Sequence, residues 1–211
     1  EPTLTELGWR YYFAFGRNVN HDVMLSDSRC PNSIFLGRAL LKDYRFALDS
    51  KGYATVISNT GSNTIGVLWL VSPNDKLNLD RCEGVGRNPP SYQENTKSIE
   101  TTDANLFGGP KHVEAFLYVS NRKLGTVPAD GYIEQIIDGL SQSLYSEEDI
   151  GHYKNYLKSQ SHKPNYVSNL KLGPDLSKLL PGPDESKMPL DSSLPFFAYG
   201  LFKRDQFGYE S

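Results

Sequence analysis

Cysteine is scarce in this chain of 211 residues, which contains Cys30 and Cys82 and no other. Two cysteines cannot build the disulfide framework that holds small secreted domains together, and they fit a reducing compartment. We therefore expect a cytoplasmic protein whose core is made by apolar packing. The apolar fraction of 38% and the aromatic fraction of 12% are sufficient for such a core.

The sequence also lacks a long apolar run and a strong net charge. No segment approaches the roughly 18 consecutive apolar residues of a membrane-spanning helix, and no signal-peptide pattern is present. A formal net charge of −3 gives no reason to expect nucleic acid or an anionic membrane as a partner. The four histidines show no helical pairing and no nearby cysteine cluster, so we predict no metal site.

What the chain does contain is a well-marked helix that ends at Glu83. Ser72 can cap its start, Pro73 suits the first helical position, and Gly84 easily takes the left-handed conformation that ends helices. At the negative end of the helix dipole a carboxylate is disfavoured by roughly 0.3–1 kcal/mol. That position suits a group that takes up and releases a proton, although alone it is more typical of a solvated glutamate. The neighbouring Cys82 would need a histidine partner to act as a nucleophile, and spacing identifies none.

A second stretch, residues 11–18, predicts a buried strand followed by a sharp turn. Five apolar or aromatic residues precede Gly16, and the polar Arg17 and Asn18 follow it. A strand, a glycine and a polar turn can point several backbone N–H groups at one anionic ligand. A short helix is predicted next, near residues 21–25. Many strands end in glycine, so this pattern alone is weak evidence for a binding site.

Together the two stretches resemble the gamma-glutamylcyclotransferase family in its AIG2-like and BtrG-like form. That family opens with a strand ending Tyr-Gly-Ser-Asn and later carries Leu-Asp-x-x-Glu-Gly. The corresponding segments here are Phe15-Gly16-Arg17-Asn18 and Leu79-Asp80-Arg81-Cys82-Glu83-Gly84. The order of the intervening elements also fits, and the resemblance covers about residues 10–158. The departures at Phe15 and Arg17, where the family has tyrosine and serine, concern the substrate more than the fold.

The resemblance implies an α+β fold over residues 1–160, a small mixed β-barrel with packed helices. It also implies a lyase-type acyltransferase, as in glutathione metabolism, that cyclises a gamma-glutamyl amide to 5-oxoproline and releases an amine or amino acid. Glu83 would be the catalytic acid and base. The residues implied to bind the small-molecule substrate are Phe15, Gly16, Arg17, Asn18, Val19 and Tyr132, the last on a helix that brings a tyrosine into the pocket. No cofactor or metal is implied.

Two other functions stay open from the sequence. Arginine pairs planar anions in a bidentate way, so Arg17 favours a same-fold enzyme acting on another small anionic substrate. The chain could instead be a non-catalytic small-molecule-binding module of a tandem-domain protein. The sequence does not set the oligomeric state, with a dimer among the alternatives.

Periodicity predicts further elements of this domain. Residues 34–48 are long for one strand, so we expect a bend or bulge. Residues 53–57 and 64–71 predict a hairpin with its turn at residues 59–63. A helical apolar period runs from Ile133 to Leu144, with Asp130 as the expected cap.

The composition changes after Lys158. Residues 161–195 carry six prolines among Ser, Asp and Lys, which predicts a linker. The following Phe196-Phe197-Ala198-Tyr199-Gly200 is similar to Tyr12-Phe13-Ala14-Phe15-Gly16, and predicts that residues 196–211 begin a second, truncated copy of the same fold. The alternative is a short apolar tail that adds to the sheet.

Overall fold

The computed structural model describes residues 3–103 and 110–158, and these form a sheet with helices around it. The strands are β1 (Arg10–Ala14), β2 (Ile34–Asp49), β3 (Ala54–Val71), β4 (Tyr92–Thr101), β5 (His112–Ser120) and β6 (Leu124–Gly125). The helices are α1 (His21–Met24), α2 (Pro73–Glu83), α3 (Tyr132–Gln142) and α4 (Glu147–Lys158), and a 3₁₀ turn spans Arg17–Val19.

Five of these strands close into a barrel of mixed direction. β1 pairs antiparallel with β3 and parallel with β5, where Tyr12 lies opposite Phe116. β5 continues to β4 and β4 to β2 by antiparallel pairing. The long β2–β3 pairing then completes the circle, and β6 adds to one end of β2. The predicted α+β fold with a small mixed barrel is therefore confirmed.

The pairing of β2 with β3 confirms one prediction and overturns another. β2 has register shifts between Phe35 and Gly37 and between Lys42 and Tyr44, so the expected bulge is present. The predicted hairpin with its turn at residues 59–63 is wrong, because the segments on both sides of that turn belong to one strand, β3, and both pair with β2. Lys42 pairs with Asn63 and Tyr44 pairs with Ser58, so β3 has more residues than β2 between these two pairs. The extra residues form a bulge in β3 and do not reverse its direction.

Large side chains are buried on both faces of the sheet. Those with almost no exposure include Phe13, Leu41, Trp69, Ile99 and Phe116. Tyr12 and Phe13 are neighbours on β1 and point to opposite faces, yet both are buried, so β1 is covered on both sides. Close packing of this kind gives the barrel a fixed shape on which loops can be positioned.

Helix α3 packs on the segment that follows β1. A Cβ on Gly139 would lie 2.3 Å from the backbone nitrogen of Asn20, so the helix and the turn are in direct backbone contact there. The predicted helix is confirmed, but its cap is not Asp130. Gly131 is the N-cap, with φ of +69°, and it provides no side-chain hydrogen bond. This contact fixes the position of α3 relative to the Gly16 turn.

Within the described ranges, no helix has the length and apolar composition needed to cross a membrane. The predicted linker (residues 161–195) and the predicted second copy (residues 196–211) lie outside the described residues.

Candidate active site around Glu83

Glu83 is the last residue of α2, as the helix signals predict. The Ser72 side chain accepts a hydrogen bond from the Asp75 backbone N–H at 3.2 Å, and Pro73 begins the helix. Gly84 then takes φ of +69°, the left-handed conformation that ends the helix. The side chain of Glu83 is 17% exposed, so its carboxylate is largely buried but still reachable.

One oxygen of that carboxylate is bound by two side chains from other segments. Oε1 accepts a hydrogen bond from Asn18 Nδ2 at 3.1 Å and another from Arg29 Nη1 at 3.2 Å. Across residues 3–103 and 110–158, no hydrogen bond to the other oxygen, Oε2, is found. Glu83 therefore has one anchored oxygen and one that is open to a ligand.

Asn18 is the centre of this hydrogen-bond network and is only 5% exposed. Its Oδ1 accepts from Arg29 Nη1 at 2.8 Å, and its Nδ2 donates to the Tyr12 hydroxyl at 2.9 Å as well as to Glu83. Its backbone carbonyl accepts from the Trp69 ring nitrogen at 3.2 Å. The Asn18 side chain thus holds other site residues in place and is not open toward a ligand.

The Gly16 turn passes between a tyrosine hydroxyl and a strand. A Cβ built on Gly16 would lie 2.8 Å from Tyr132 Oη and 3.1 Å from Ala54 Cβ, so this position has space for glycine alone. Inside the turn, the N–H of Val19 donates to the Gly16 carbonyl at 3.0 Å. The N–H of Val19 is therefore used within the turn.

Tyr132 is anchored from the first residue of α3, with its hydroxyl at the same turn. The hydroxyl accepts a hydrogen bond from the backbone N–H of Ala54 at 3.1 Å. Its ring meets that of Tyr53 edge-on at 5.2 Å. Burial raises the pKa of Tyr132 to about 12, so the hydroxyl keeps its proton at neutral pH. Because the hydroxyl oxygen is the acceptor in the Ala54 bond, its own hydrogen remains available for donation.

Of the remaining predicted site residues, Phe15 and Val19 have buried side chains, whereas Arg17 is half-buried. The side chains of Phe15 and Val19 lie in the core, and the Phe15 ring stacks on Phe13 at 6.0 Å. Any contact of these two residues with a ligand would be through the backbone. Arg17 is half-buried, and its guanidinium forms no ion pair with another residue of the described part.

Three further tyrosines, Tyr12, Tyr92 and Tyr118, interact electrostatically with Glu83. Burial raises the pKa of each of them, and the negative charge of Glu83 raises it further. All three hydroxyls are therefore neutral at physiological pH. The Tyr92 hydroxyl donates to the Ala54 carbonyl at 3.2 Å. The backbone of Ala54 is therefore bound by Tyr92 through its carbonyl and by Tyr132 through its N–H.

An open groove lies beside the end of α2. It is lined by Val85, Pro89, Pro90, Tyr92, Gln93, Glu94 and Asn121, and Glu83 is not among the lining residues. The groove begins two residues beyond Glu83 in the chain. Elsewhere in the described ranges, no group of three or more His, Cys, Asp or Glu side chains is arranged to hold a metal ion.

Sequence reasoning did not identify Arg29. It lies in the loop that follows α1, where neither spacing nor periodicity distinguishes it from an ordinary surface arginine. Cys82, the residue before Glu83, is exposed, and its thiol lies 3.8 Å from the carbonyl oxygen of Ser28, the residue before Arg29. Only the folded structure brings the Arg29 guanidinium to Glu83.

Comparison with known proteins identifies the family and the fold. Residues 12–135 match the family described as gamma-glutamyl cyclotransferase, AIG2-like. A search of curated proteins found no match. A solved structure named gamma-glutamyl cyclotransferase has a TM-score of 0.62 at 21% identity, covering 76% of this chain and 92% of the other.

Two further solved structures share the fold. An uncharacterized protein from Homo sapiens has a TM-score of 0.60 at 21% identity, over 76% of this chain and 92% of its own. YkqA from Bacillus subtilis has a TM-score of 0.56 at 22% identity, over 72% and 55% respectively. The family match covers more than half of the chain and includes both Gly16 and Glu83. The chain therefore belongs to the AIG2-like gamma-glutamyl cyclotransferase family, as the sequence motifs predict.

Proposed function

We propose that this protein cyclises a gamma-glutamyl amide to 5-oxoproline and releases an amine or amino acid, with Glu83 as the general acid and base. Membership of the family indicates activity of this type. The observation that carries the assignment to Glu83 is its carboxylate, which has one oxygen anchored by Asn18 and Arg29 and one left open.

The reaction is an intramolecular transfer. The α-amine nitrogen of the substrate attacks its own γ-carbonyl carbon, a new C–N bond closes a five-membered ring, and the original amide C–N bond breaks. The substrate ammonium nitrogen loses two protons on becoming the ring N–H, and the leaving nitrogen gains two on departing as an ammonium ion, so atoms and charge balance. Holding the folded conformer can supply up to roughly 7–11 kcal/mol of the barrier.

Glu83 would move these protons one at a time. The open oxygen, Oε2, takes a proton from the substrate ammonium before attack and gives it to the leaving nitrogen, and it transfers the second proton from the ring nitrogen in the same way. A well-placed acid and base contributes roughly 10²–10⁴-fold to the rate. The anchored Oε1 keeps the carboxylate in one orientation through both steps.

Substrate binding would use the Gly16 turn and Tyr132. The N–H of Val19 is used inside the turn, so we assign the N–H groups of Gly16 and Asn18 to the substrate carboxylate or the developing oxyanion. The free hydrogen of the Tyr132 hydroxyl would add a third donor. Phe15 and Val19 would support this turn from the core. The leaving group would extend into the groove beside Tyr92.

A second candidate function rests on Arg17. Its guanidinium forms no ion pair with another described residue, and this cation could select a small anionic substrate other than a simple gamma-glutamyl amide. The third alternative is a non-catalytic binding module, in which Glu83 would bind a ligand without turning it over.

The test is an assay of 5-oxoproline and amine release over a panel of gamma-glutamyl compounds, with Glu83→Gln as the first variant. Glutamine keeps the size of the side chain but cannot carry the proton, so turnover of the folded variant should fall by at least about 10²-fold. Because Arg29 then loses its charge partner, the unfolding free energy should fall as well, and turnover is compared where thermal unfolding shows the variant folded. Glu114→Gln, at an exposed position of β5, is the matched control and should be neutral. Near-wild-type turnover by Glu83→Gln would exclude Glu83 as the base. Binding without turnover by the wild type would favour the non-catalytic module.

A further inference from the structure

Arg29 occupies a buried position at the contact between Glu83 and Asn18. Its side chain is 10% exposed, and its Nη1 donates to both Glu83 Oε1 at 3.2 Å and Asn18 Oδ1 at 2.8 Å. An arginine this deeply buried needs a partner for its charge. The ion pair with Glu83 supplies that partner.

The loop that carries Arg29 is attached to α2 near both ends of the helix. Near the start of α2, the Asp75 carboxylate accepts hydrogen bonds from the Asn32 N–H at 3.0 Å and the Ser33 hydroxyl at 3.4 Å. Near its end, the Cys82 thiol contacts the Ser28 carbonyl. The backbone of Arg29 is therefore held at a fixed place relative to Glu83.

Arg29 also determines which way the Asn18 amide points. Arginine has only donors, so the Asn18 atom that faces it must be the acceptor Oδ1. The other end of the amide, Nδ2, then faces Glu83 and Tyr12 as a donor. With the amide reversed, Oδ1 would face the Glu83 carboxylate, and two acceptors would meet.

The titratable groups around Glu83 show that Arg29 compensates its negative charge. Tyr12 on β1, Tyr92 on β4, Tyr118 on β5 and Tyr132 on α3 all interact with Glu83. Burial raises the pKa of each of these tyrosines, so they are neutral. One turn earlier on α2, the Asp80 carboxylate is paired with Lys76 at 2.6 Å. Within residues 3–103 and 110–158, the ion pair that Glu83 forms is the one with Arg29.

We infer that Arg29 is a positioning residue for the reaction. It anchors Oε1 of the ionised Glu83 carboxylate directly and through Asn18, so that Oε2 faces the substrate with its charge compensated. This inference rests on the proposed role of Glu83. It assigns to Arg29 no contact with the substrate, so its loss should lower kcat and leave KM nearly unchanged.

The test compares Arg29→Met with Arg29→Lys. Methionine fills similar space without charge or donors, and kcat should fall by about 10- to 100-fold, because a misdirected catalytic group loses this much. KM should change by less than about threefold. Lysine restores the charge and a donor on a shorter stem, so it should recover part of the lost kcat. Arg38→Met removes another arginine–carboxylate pair, with Asp103, and should leave kcat of the folded enzyme unchanged.

Two readouts separate positioning from a purely structural role. A loss of kcat with nearly unchanged KM, partly restored by Arg29→Lys, is a pattern that general loosening of the fold would not give. In a Glu83→Gln background, Arg29→Met should lower residual turnover by less than about twofold, because Arg29 acts through Glu83. An unchanged kcat in Arg29→Met, with thermal unfolding showing a folded protein, would overturn the inference.

The inference can fail separately from the proposed function. In uniformly ¹³C-labelled protein, the carboxyl resonance missing from Glu83→Gln identifies Glu83, and its chemical shift at constant neutral pH needs no substrate. That resonance should move in Arg29→Met, partly return in Arg29→Lys and stay unmoved in Arg38→Met. If the wild type releases no 5-oxoproline, the proposed function fails while this chemical shift still tests the pairing. If the wild type is active and the resonance does not move, the Arg29 inference alone is overturned.

Discussion

At the scale of single residues, two opposing effects act on the charge of Glu83. The dipole of α2 disfavours a carboxylate at the C-terminal end by roughly 0.3–1 kcal/mol. Hydrogen bonds to a charged group contribute roughly 1.5–3 kcal/mol each, and Glu83 accepts two, from Asn18 and Arg29. Because two such bonds hold Oε1, a glutamate that the sequence places at an ordinary helix end is held in one orientation by the fold.

Arg17 offers a test of substrate choice at this scale. It lies one residue beyond Gly16 and is half-buried. If its guanidinium selects a second anionic group, Arg17→Ser should weaken binding of an anionic substrate by roughly 1.5–3 kcal/mol, the scale of a charge-assisted hydrogen bond. Neutral gamma-glutamyl amides should be affected little.

The measurement is kcat and KM of Arg17→Ser on a matched neutral and anionic pair of substrates. Arg87→Ser, an exposed arginine in the loop after α2, controls for loss of one positive charge. Equal effects of Arg17→Ser on both substrates would contradict selection of an anion by Arg17.

At the scale of elements, the contact between the Gly16 turn and α3 should be sensitive to a single methyl group. The Cβ of Gly16→Ala would lie 2.8 Å from Tyr132 Oη, and that hydroxyl is held by the Ala54 N–H. We expect a loss of about 1–3 kcal/mol of unfolding free energy from overpacking, together with reduced turnover. Urea unfolding gives the first quantity and the 5-oxoproline assay the second.

Tyr132→Phe provides the matched second variant. It removes the hydroxyl, and so the nearest clash, so adding it to Gly16→Ala should cost less stability than adding it to the wild type. Turnover should not recover, because a proposed substrate donor is lost. Additive losses in stability would show that the hydroxyl and the new methyl group do not compete for space.

The elements also show how much the sequence could predict. The bounds of α2 followed from local chemistry, because Ser72, Pro73 and Gly84 act on their immediate neighbours. The resemblance to a family predicted the barrel. The hairpin at residues 59–63 failed because polar residues with a central glycine are typical of both a turn and a bulge. Pairing of both segments with β2, the preceding strand, decides between them.

The candidate site likewise contains residues that the sequence could predict and residues that it could not. Glu83 and the Gly16 turn were predictable because each is defined by a short segment and a family motif. Arg29 was not, because its position depends on a loop attached to α2 through Asp75, more than forty residues later in the chain. A contact over that separation leaves no mark in local spacing.

At the scale of the whole molecule, we propose that residues 161–195 link this domain to the start of a second copy at residues 196–211. The barrel closes entirely within residues 10–120 and is covered by α3 and α4. A chain that ends at residue 160 should therefore keep its unfolding free energy within about 1 kcal/mol of the full chain, as expected when few contacts cross a linker.

A chain ending at residue 145 is the control for that truncation. It also removes Ile150 and Tyr153, which are 1% and 2% exposed in the core, and burial of such side chains contributes roughly 1.5–3 kcal/mol each. It should be clearly destabilised in urea unfolding. If ending the chain at residue 160 is equally damaging, the tail belongs to the folded domain.

The pH dependence of stability should reflect His21, which joins the barrel to α3. Its ring lies 4.5 Å from that of Phe35 and 5.2 Å from that of Trp69, and its Nε2 is 3.2 Å from the Ser143 hydroxyl. Burial lowers the pKa of His21 from 6.5 to about 4 in the folded protein, against a smaller opposing effect of Asp22. Between these values the unfolded chain binds a proton that the folded protein does not, so stability should fall as pH falls from 6.5 toward 4.

The full loss from this group is about 3 kcal/mol, since each pH unit of difference corresponds to about 1.4 kcal/mol. Urea unfolding of the wild type and His21→Phe from pH 7.5 to 4 isolates it, because carboxylates with lowered pKa values, such as Asp49 and Glu94, titrate in both proteins. The variant should be less stable at pH 7.5, where it lacks the Ser143 contact, but it should lose less stability on acidification. Parallel curves for the two proteins would mean that His21 binds its proton equally well in the folded and unfolded chains. In that case the aromatic contacts of the ring would not exclude the imidazolium, and the acid sensitivity of the fold would come from the carboxylates.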